Sequence, residues 1–523
     1  MKFSKKNRNQ SAFVTKNSCI SKSFILQKFT LISGLLLLIF MVSCTHDELP
    51  SHEIQTIENQ KDPLTLEEVN NEITRILEEN GSFNWSETSD HLLWSAVVHG
   101  DNILTVGYGA EGDHFRITKS QQLSDVKEEI LQTIQSFDLK KSNKEVLLYD
   151  DDILNFIDVK ITGLNTIKEL RKNPKIRYLE PEGFVYSSNK VLQKSSSGCS
   201  TSGENIDGND FGTLSNGAKV PWNFYQHNIN QAWAYSKGRG VGVGVVDTGV
   251  SSNQSNLGSK FDDYYSGRYI QKYGTYVDSW KWWSNSTDGP NDKCGHGTSS
   301  SATISAPNNN SSQFIGVAYE CNLISYRGTG DVVLNGYHER KGVANALKAL
   351  GKRSDVKIIS MAIGYPWSIG RIKDAVKYAY ARNKLIFAAG GTSTNFTNWY
   401  GVIFPATMSE TVAVTGVEEQ STYDECDACH DGSKIDFTVI MERGNNHHQP
   451  VLGFNNGQSK YFGGSSVATS TTAGMAALVW AKYPSWSRSQ VLQRLKESAD
   501  FYPNKNGDFG YGNIDALKAV RGY

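Results

Sequence analysis

The stretch Val243-Gly244-Val245-Val246-Asp247-Thr248-Gly249-Val250 decides how the rest of the chain is read. From Val241 to Val246 the residues are only valine and glycine, which suits a strand buried on both faces of a parallel sheet better than a half-solvated edge. The run stops at a carboxylate followed by Thr248-Gly249, a turn sequence. In an open parallel sheet, ligands and chemistry collect at the carboxyl ends of the strands, so Asp247 stands where a working carboxylate is expected.

Working outward, Asn322 to Tyr326, Lys357 to Ser360, Lys384 to Ala388 and Thr411 to Val414 read as further strands. They alternate with helical stretches such as Gly342 to Leu350 and Ile372 to Arg382. The pattern predicts an α/β domain with helices on both faces of a parallel sheet. Upstream the pattern is mixed α and β. Leu66, Val69, Ile73, Ile76 and Leu77 have helical spacing, with Glu67 and Glu68 in the first turn. Leu93 to Val98 and Ile103 to Tyr108 read as two strands of a hairpin about His99-Gly100-Asp101-Asn102. A strand over Asn155 to Ile161, a helix over Leu164 to Lys172 and a strand over Ile176 to Leu179 follow, ahead of Glu180-Pro181-Glu182. From Ser187 to Gly208 the residues turn small and polar, the composition of a linker.

A chain of 523 residues is too long for one ordinary core. The expected organisation is a leader over 1–43, a tether over 44–63, a smaller α+β domain over 64–186, a linker over 187–208 and the larger α/β domain over 209–523. Lys and Arg total 53 against 54 Asp and Glu, a net charge of -1, so no global basic field recruits nucleic acid. In the leader, seven Lys and Arg residues precede the apolar run Leu31 to Val42, which is short for a membrane span. The run ends in Met41-Val42-Ser43-Cys44, which resembles the lipobox of bacterial lipoproteins; the plainer alternative is a signal peptide that happens to contain a cysteine. The resemblance implies a lipid on Cys44, attachment to the membrane through it, and a place at the cell envelope, at the outer membrane or surface of a Gram-negative bacterium.

Three segments carry chemistry. Acyl transfer by serine needs a hydroxyl, an imidazole to take its proton and a carboxylate to fix the imidazole's tautomer. Asp247 follows its strand, His296 lies in Gly295-His296-Gly297-Thr298, and Ser466 lies in Gly463-Gly464-Ser465-Ser466-Val467-Ala468, ahead of the apolar helix Thr472 to Lys482. Singly these are a turn former, a loop histidine and a glycine-serine linker. Together they follow the order Asp, His, Ser on three suitable elements.

These three segments resemble the active-site signatures of subtilases, the subtilisin-like serine proteases, over roughly Trp222 to Val520. Gly316-Val317-Ala318 and Tyr511-Gly512-Asn513-Ile514-Asp515 add to the likeness. The resemblance implies a subtilisin-like sheet and hydrolysis of proteins or peptides through an acyl-enzyme. In it Asp247 orients, His296 serves as base and acid, and Ser466 is the nucleophile. It implies no cofactor for the chemistry and allows calcium as a stabilising ion. The upstream domain is similar to subtilase prodomains, which implies a zymogen. Ala362, Ile363, Gly364 and Tyr365 match the strand lining the main specificity pocket, with Tyr365 where glycine is common, at the rim. Ser470 replaces a usual proline.

One departure bears on activity. The family's oxyanion asparagine follows Ala-Ala-Gly, whereas this chain reads Ala388-Ala389-Gly390-Gly391-Thr392-Ser393. Gly391 has no side-chain donor, which leaves Thr392, Ser393 or Asn395 to supply one, or a slow enzyme. The rival reading is a catalytically weak or inactive surface module of the same fold that binds peptides or a metal.

Cys19 and Cys44 fall in the leader, leaving Cys199, Cys294, Cys321, Cys426 and Cys429. In an oxidising location Cys426 and Cys429 are expected to pair, with room for one more bridge and one free thiol. Cys426-Asp427-Ala428-Cys429-His430 also fits a metal site completed by His447 or His448, or the spelling of a haem attachment.

Overall fold

The computed structural model describes residues 62–522 except 111–114, 116–118, 139–141, 188–197, 280, 282–283, 393–400 and 421–422. The leader with Cys44, most of the tether, the centre of the linker, Ser393 and Asn395 lie outside the described residues. Among those described, no helix is long and apolar enough to cross a membrane.

Seven parallel strands form the main sheet, in the order Phe437–Glu442, Val412–Glu418, Leu385–Ala389, Val356–Met361, Gly242–Asp247, Asn322–Arg327, Ile270–Gly274. Every residue of Gly242–Asp247 is buried, as its unbroken apolar run requires. From this strand the chain first lays down the edge strand Ile270–Gly274, returns to insert Asn322–Arg327 beside it, and then crosses to build outward on the other side. Asp247 therefore ends the strand at which the winding reverses, where a crevice opens. One face of the sheet is covered by Tyr337–Lys352 and Gly370–Ala381, the other by His296–Ser305 and Gly464–Lys482. The last helix is buried almost all round, which explains its apolar sequence.

Residues 64–186 form a four-stranded antiparallel sheet, ordered Leu147–Asp150, Phe156–Lys160, Ile103–Tyr108, Ile176–Glu180. Helices Leu66–Asn80, Asp90–His99, Gln121–Phe137 and Leu164–Arg171 pack on it. The hairpin expected about His99 is not formed, because Asp90–His99 is a helix. Ser89 caps it by accepting from the Leu92 amide at 3.1 Å, and Leu92 to Val97 are buried without exception. A short apolar run enclosed on every side has no polar face to reveal its period, so helix and strand read alike there. Asp101 and Asn102, at φ of 57° and 62°, then swing the chain into Ile103–Tyr108.

This smaller sheet shares one core with the helices Tyr337–Lys352 and Gly370–Ala381. Several of its polar contacts there are buried or half-buried ion pairs. Arg371 is fully buried and pairs with Asp158 at 2.5 Å and Glu182 at 3.1 Å. Arg177 forks onto both oxygens of Asp374 at 2.7 Å, and Lys348 meets Asp151 at 2.5 Å. Glu180 accepts from the Gly370 amide at 2.9 Å, at the start of its helix. Removing one partner of such a set costs about 3–5 kcal/mol, since the other charge is stranded in the core.

Candidate active site

Asp247 and His296 meet at the carboxyl end of the main sheet. The His296 Nδ1–H donates to Asp247 Oδ1 at 2.9 Å and Oδ2 at 3.0 Å. A carboxylate only accepts, so Nδ1 carries the proton and Nε2 is left as the basic nitrogen. The Thr248 amide at 2.7 Å and the Ser300 hydroxyl at 3.1 Å also donate to Asp247 and hold its plane. Both partners of the pair are buried.

His296 opens its helix, and Asp292 fixes that opening. Asp292 accepts from the amides of Cys294 at 2.8 Å, Gly295 at 2.9 Å and Thr298 at 3.0 Å, and from the Thr248 hydroxyl at 2.9 Å. Gly295 has φ of 92°, and a Cβ there would lie 2.3 Å from the Ser200 carbonyl, so only glycine fits before the histidine. Asp292 and Ser300 were not singled out from the sequence; a carboxylate just ahead of a helix start was the available signal.

Ser466 sits in the first turn of Gly464–Lys482, which starts earlier than the apolar pattern suggests, and its carbonyl accepts from Ser470 at 3.0 Å. The helix N-terminus puts backbone amides and partial positive charge beside its hydroxyl. His296 and Ser466 line one cleft of about 530 Å³, together with Gly391, Thr392 and the wall Ala362, Ile363, Gly364 and Tyr365. Phe462 packs edge-on to the imidazole, centroids 5.2 Å apart.

Of the oxyanion candidates, Gly391 and Thr392 reach the cleft and contact the turn before Ser466. The Gly391 amide donates to Ser465 Oγ at 3.2 Å, and the Thr392 hydroxyl bonds the same oxygen at 3.1 Å. The backbone of Gly364 is already paired, its N–H donating to Val332 at 3.0 Å and its carbonyl accepting from Leu334 at 3.1 Å. Tyr365 is buried rather than standing at the rim. Its ring lies 4.5 Å from that of Trp367 and its hydroxyl donates to Asn335 at 3.1 Å.

Disulfides join Cys426 to Cys429 and Cys199 to Cys294, and Cys321 is a buried free thiol held up to about 12 by desolvation. With Cys426 and Cys429 bonded to each other, neither offers a thiolate to a metal or a haem. His430 is turned inward, and His447 pairs with Asp210 at 2.6 Å. Among the described residues no group of three or more His, Cys, Asp or Glu converges as a metal site.

Residues 238–512 match the model of the subtilase family. The chain belongs to that family. It is similar to alkaline elastase YaB of Bacillus sp. (strain YaB), 31% identical over 58% of this chain and 70% of that one. Subtilisin E of Bacillus subtilis (strain 168) is 26% identical over 68% and 78% of the two chains. Thermitase of Thermoactinomyces vulgaris is 26% identical over 56% and 92%. This subtilase is a serine-type endopeptidase, acts on proteins or peptides, and as a subtilase needs no cofactor for its chemistry.

Proposed function

We propose that this subtilase cuts peptide bonds with Asp247, His296 and Ser466 as its triad, and that it is made as a lipid-anchored zymogen. The observation that carries the reading is the His296 Nδ1–H held by both oxygens of Asp247 in a cleft shared with Ser466. That bond fixes the tautomer in which Nε2 takes the Ser466 proton as Oγ attacks the carbonyl carbon. The tetrahedral oxyanion is met by the Ser466 amide at the helix start and by the Thr392 hydroxyl in place of the missing asparagine. His296 then protonates the leaving amine, and water, deprotonated in turn by Nε2, frees the acyl group. The apolar wall of Val332, Val333, Ala362, Ile363 and Ile403 suits an uncharged side chain beside the cut bond.

Residues 64–186 act as chaperone and inhibitor. Their buried charged contacts with two helices of the catalytic domain support this, as does Tyr186, whose carbonyl accepts from Asn335 at 3.1 Å beside the cleft wall. Cys44 carries the lipid and places the protein at the cell envelope, on the outer membrane or surface of a Gram-negative bacterium. A fluorophosphonate probe tests the catalytic reading: the purified protein labels on Ser466 and Ser466→Ala does not. Full labelling of Ser466→Ala would reject the assigned nucleophile. Release of Cys44→Ala from the membrane fraction tests the anchor, and a variant that still sediments with membranes rejects it.

A further inference from the structure

The chain that leads into the catalytic domain does not stay clear of the catalytic centre. Gly198, Cys199, Ser200 and Glu204 line the same cleft as His296 and Ser466. Gly198 lies so close to the imidazole that a Cβ on it would be 3.2 Å from His296 Cδ2 and 3.9 Å from Nε2, the nitrogen that must receive the serine proton. The next residue is covalently fixed there. Cys199 is bonded to Cys294, two residues before His296, across a separation of 95 residues.

Beyond the disulfide the arm remains pinned. The Ser200 carbonyl accepts from Lys460 at 3.1 Å, the Glu204 amide donates to Ser459 at 2.7 Å, and a Glu204 carboxylate oxygen accepts from the Tyr461 amide at 3.1 Å. Tyr186, at the end of the smaller domain, packs on Trp367, and its carbonyl accepts from Asn335. A cut between Ser187 and Gly198 would free the Tyr186 side to leave with the smaller domain, while Gly198 to Ser200 would stay tied at His296.

We propose that this arm is an autoinhibitory strap, held over the imidazole by the Cys199–Cys294 disulfide and released by a dithiol reductant. The proposal rests on the triad reading and adds regulation to it. A thiolate of the reductant attacks Sγ of Cys199, the more exposed of the two residues, and the S–S bond breaks to leave Cys294 as thiolate. The second thiol of the reductant then displaces Cys199 from the mixed disulfide. The protein gains two thiols and the reductant becomes a disulfide, so electrons and protons balance. The covalent tie matters because it fixes the backbone one residue from Gly198. Once it opens, Gly198 is held only through the chain at Ser200, and the looser arm uncovers the imidazole.

The test uses the full chain as purified, after whatever processing it undergoes, with dithiothreitol as the reductant. Two rates are followed, fluorophosphonate labelling of Ser466 and cleavage of a short apolar peptide. Alkylation and mass analysis verify that Cys199 is reduced. The expected result is that both rates rise several-fold on reduction and fall again on reoxidation. Cys199→Ser should be as fast without reductant as the reduced protein and should ignore reductant, which separates the strap from the Cys426–Cys429 bond. Rates that stay unchanged or fall once Cys199 is reduced would overturn the proposal. So would a folded Cys199→Ser no faster than the oxidised protein. If no form labels or cleaves at all, the triad reading fails instead.

Discussion

The imidazole of His430 occupies the space that a side chain on Gly391 would need: its Nδ1 lies 2.3 Å from where that Cβ would be. His430 follows the Cys426–Cys429 disulfide, its amide donates to the Gly391 carbonyl at 3.2 Å, and Thr392 bridges to Cys429. Nδ1–H donates to the Gly401 carbonyl at 3.1 Å, and burial holds the ring neutral by pushing its pKa down to about 4. A disulfide-closed loop has thus taken the volume that an asparagine side chain at position 391 would need.

Restoring that asparagine should therefore harm the enzyme. Gly391 has φ of 132°, and any Cβ would strike the His430 ring, so Gly391→Asn combines backbone strain with overpacking. The expected loss is about 2–4 kcal/mol of stability with no gain in kcat, and part of the stability returns in Gly391→Asn with His430→Ala. Thermal unfolding and kcat/KM check it. A faster, equally stable Gly391→Asn would show that the glycine, not the loop, limits the oxyanion site.

Thr392→Val should lower kcat about a hundredfold while leaving KM nearly unchanged, and Thr392→Ser should keep most of the activity. The figure is that of one oxyanion donor, and it comes from a subtilisin. Valine keeps the branched shape and loses only the donor. Equal kcat in Thr392→Val and the parent would assign the oxyanion to backbone amides alone.

The contact between the two domains should weaken as pH rises. Burial pushes Glu180 up to about 8, and neighbouring Glu182, itself raised by burial, adds repulsion. The Gly370 amide, Arg340 and Arg371 pull the other way without cancelling it. A carboxyl whose pKa is raised in the complex from the usual 4.5 contributes fully below that value, and its contribution is lost as pH climbs through about 8. The cut complex should therefore dissociate more readily at pH 8 than at pH 5, and Glu180→Gln should flatten the dependence. Native mass spectrometry or size-exclusion chromatography across that range measures it. A complex that tightens with pH would contradict the sign.

Much of this arrangement was legible in the residues, for identifiable reasons. Val241 to Val246 announces a buried parallel strand because nothing in it is polar, and the glycines around His296 mark a close approach. Leu93 to Val98 misleads because burial on every side erases the period that separates helix from strand. The oxyanion site was legible as an absence at Gly391, with Thr392 one of three candidate replacements. What fills it, His430, lies 39 residues away in sequence and is brought there by the fold. The partner of Cys294 could not be read, since pairing depends on where the 198–204 arm runs and not on spacing.

Processing gives the last prediction. Ser187 is tied to Asn70 by its amide at 3.2 Å and Tyr186 is buried. On the far side Cys199 is bonded to Cys294 and Glu204 pairs with Ser459. Peptide bonds inside such fixed backbone do not adapt to a cleft, so self-cleavage should fall after Ser187 and before Gly198, within the wider window that ends at Gly208. Ser466→Ala should accumulate as one uncut chain, because it removes the proposed nucleophile. In the active protein the two pieces should copurify, held by Arg371 with Asp158 and Glu182 and by Arg177 with Asp374. With the proposed lipid on Cys44, the catalytic domain should stay with the membrane until the pieces separate and should leave it once they do. N-terminal sequencing together with membrane fractionation reads both steps. An active protein still beginning at Cys44, with no cut before Gly208, would make residues 64–186 a permanent part of the enzyme and not a removable inhibitor.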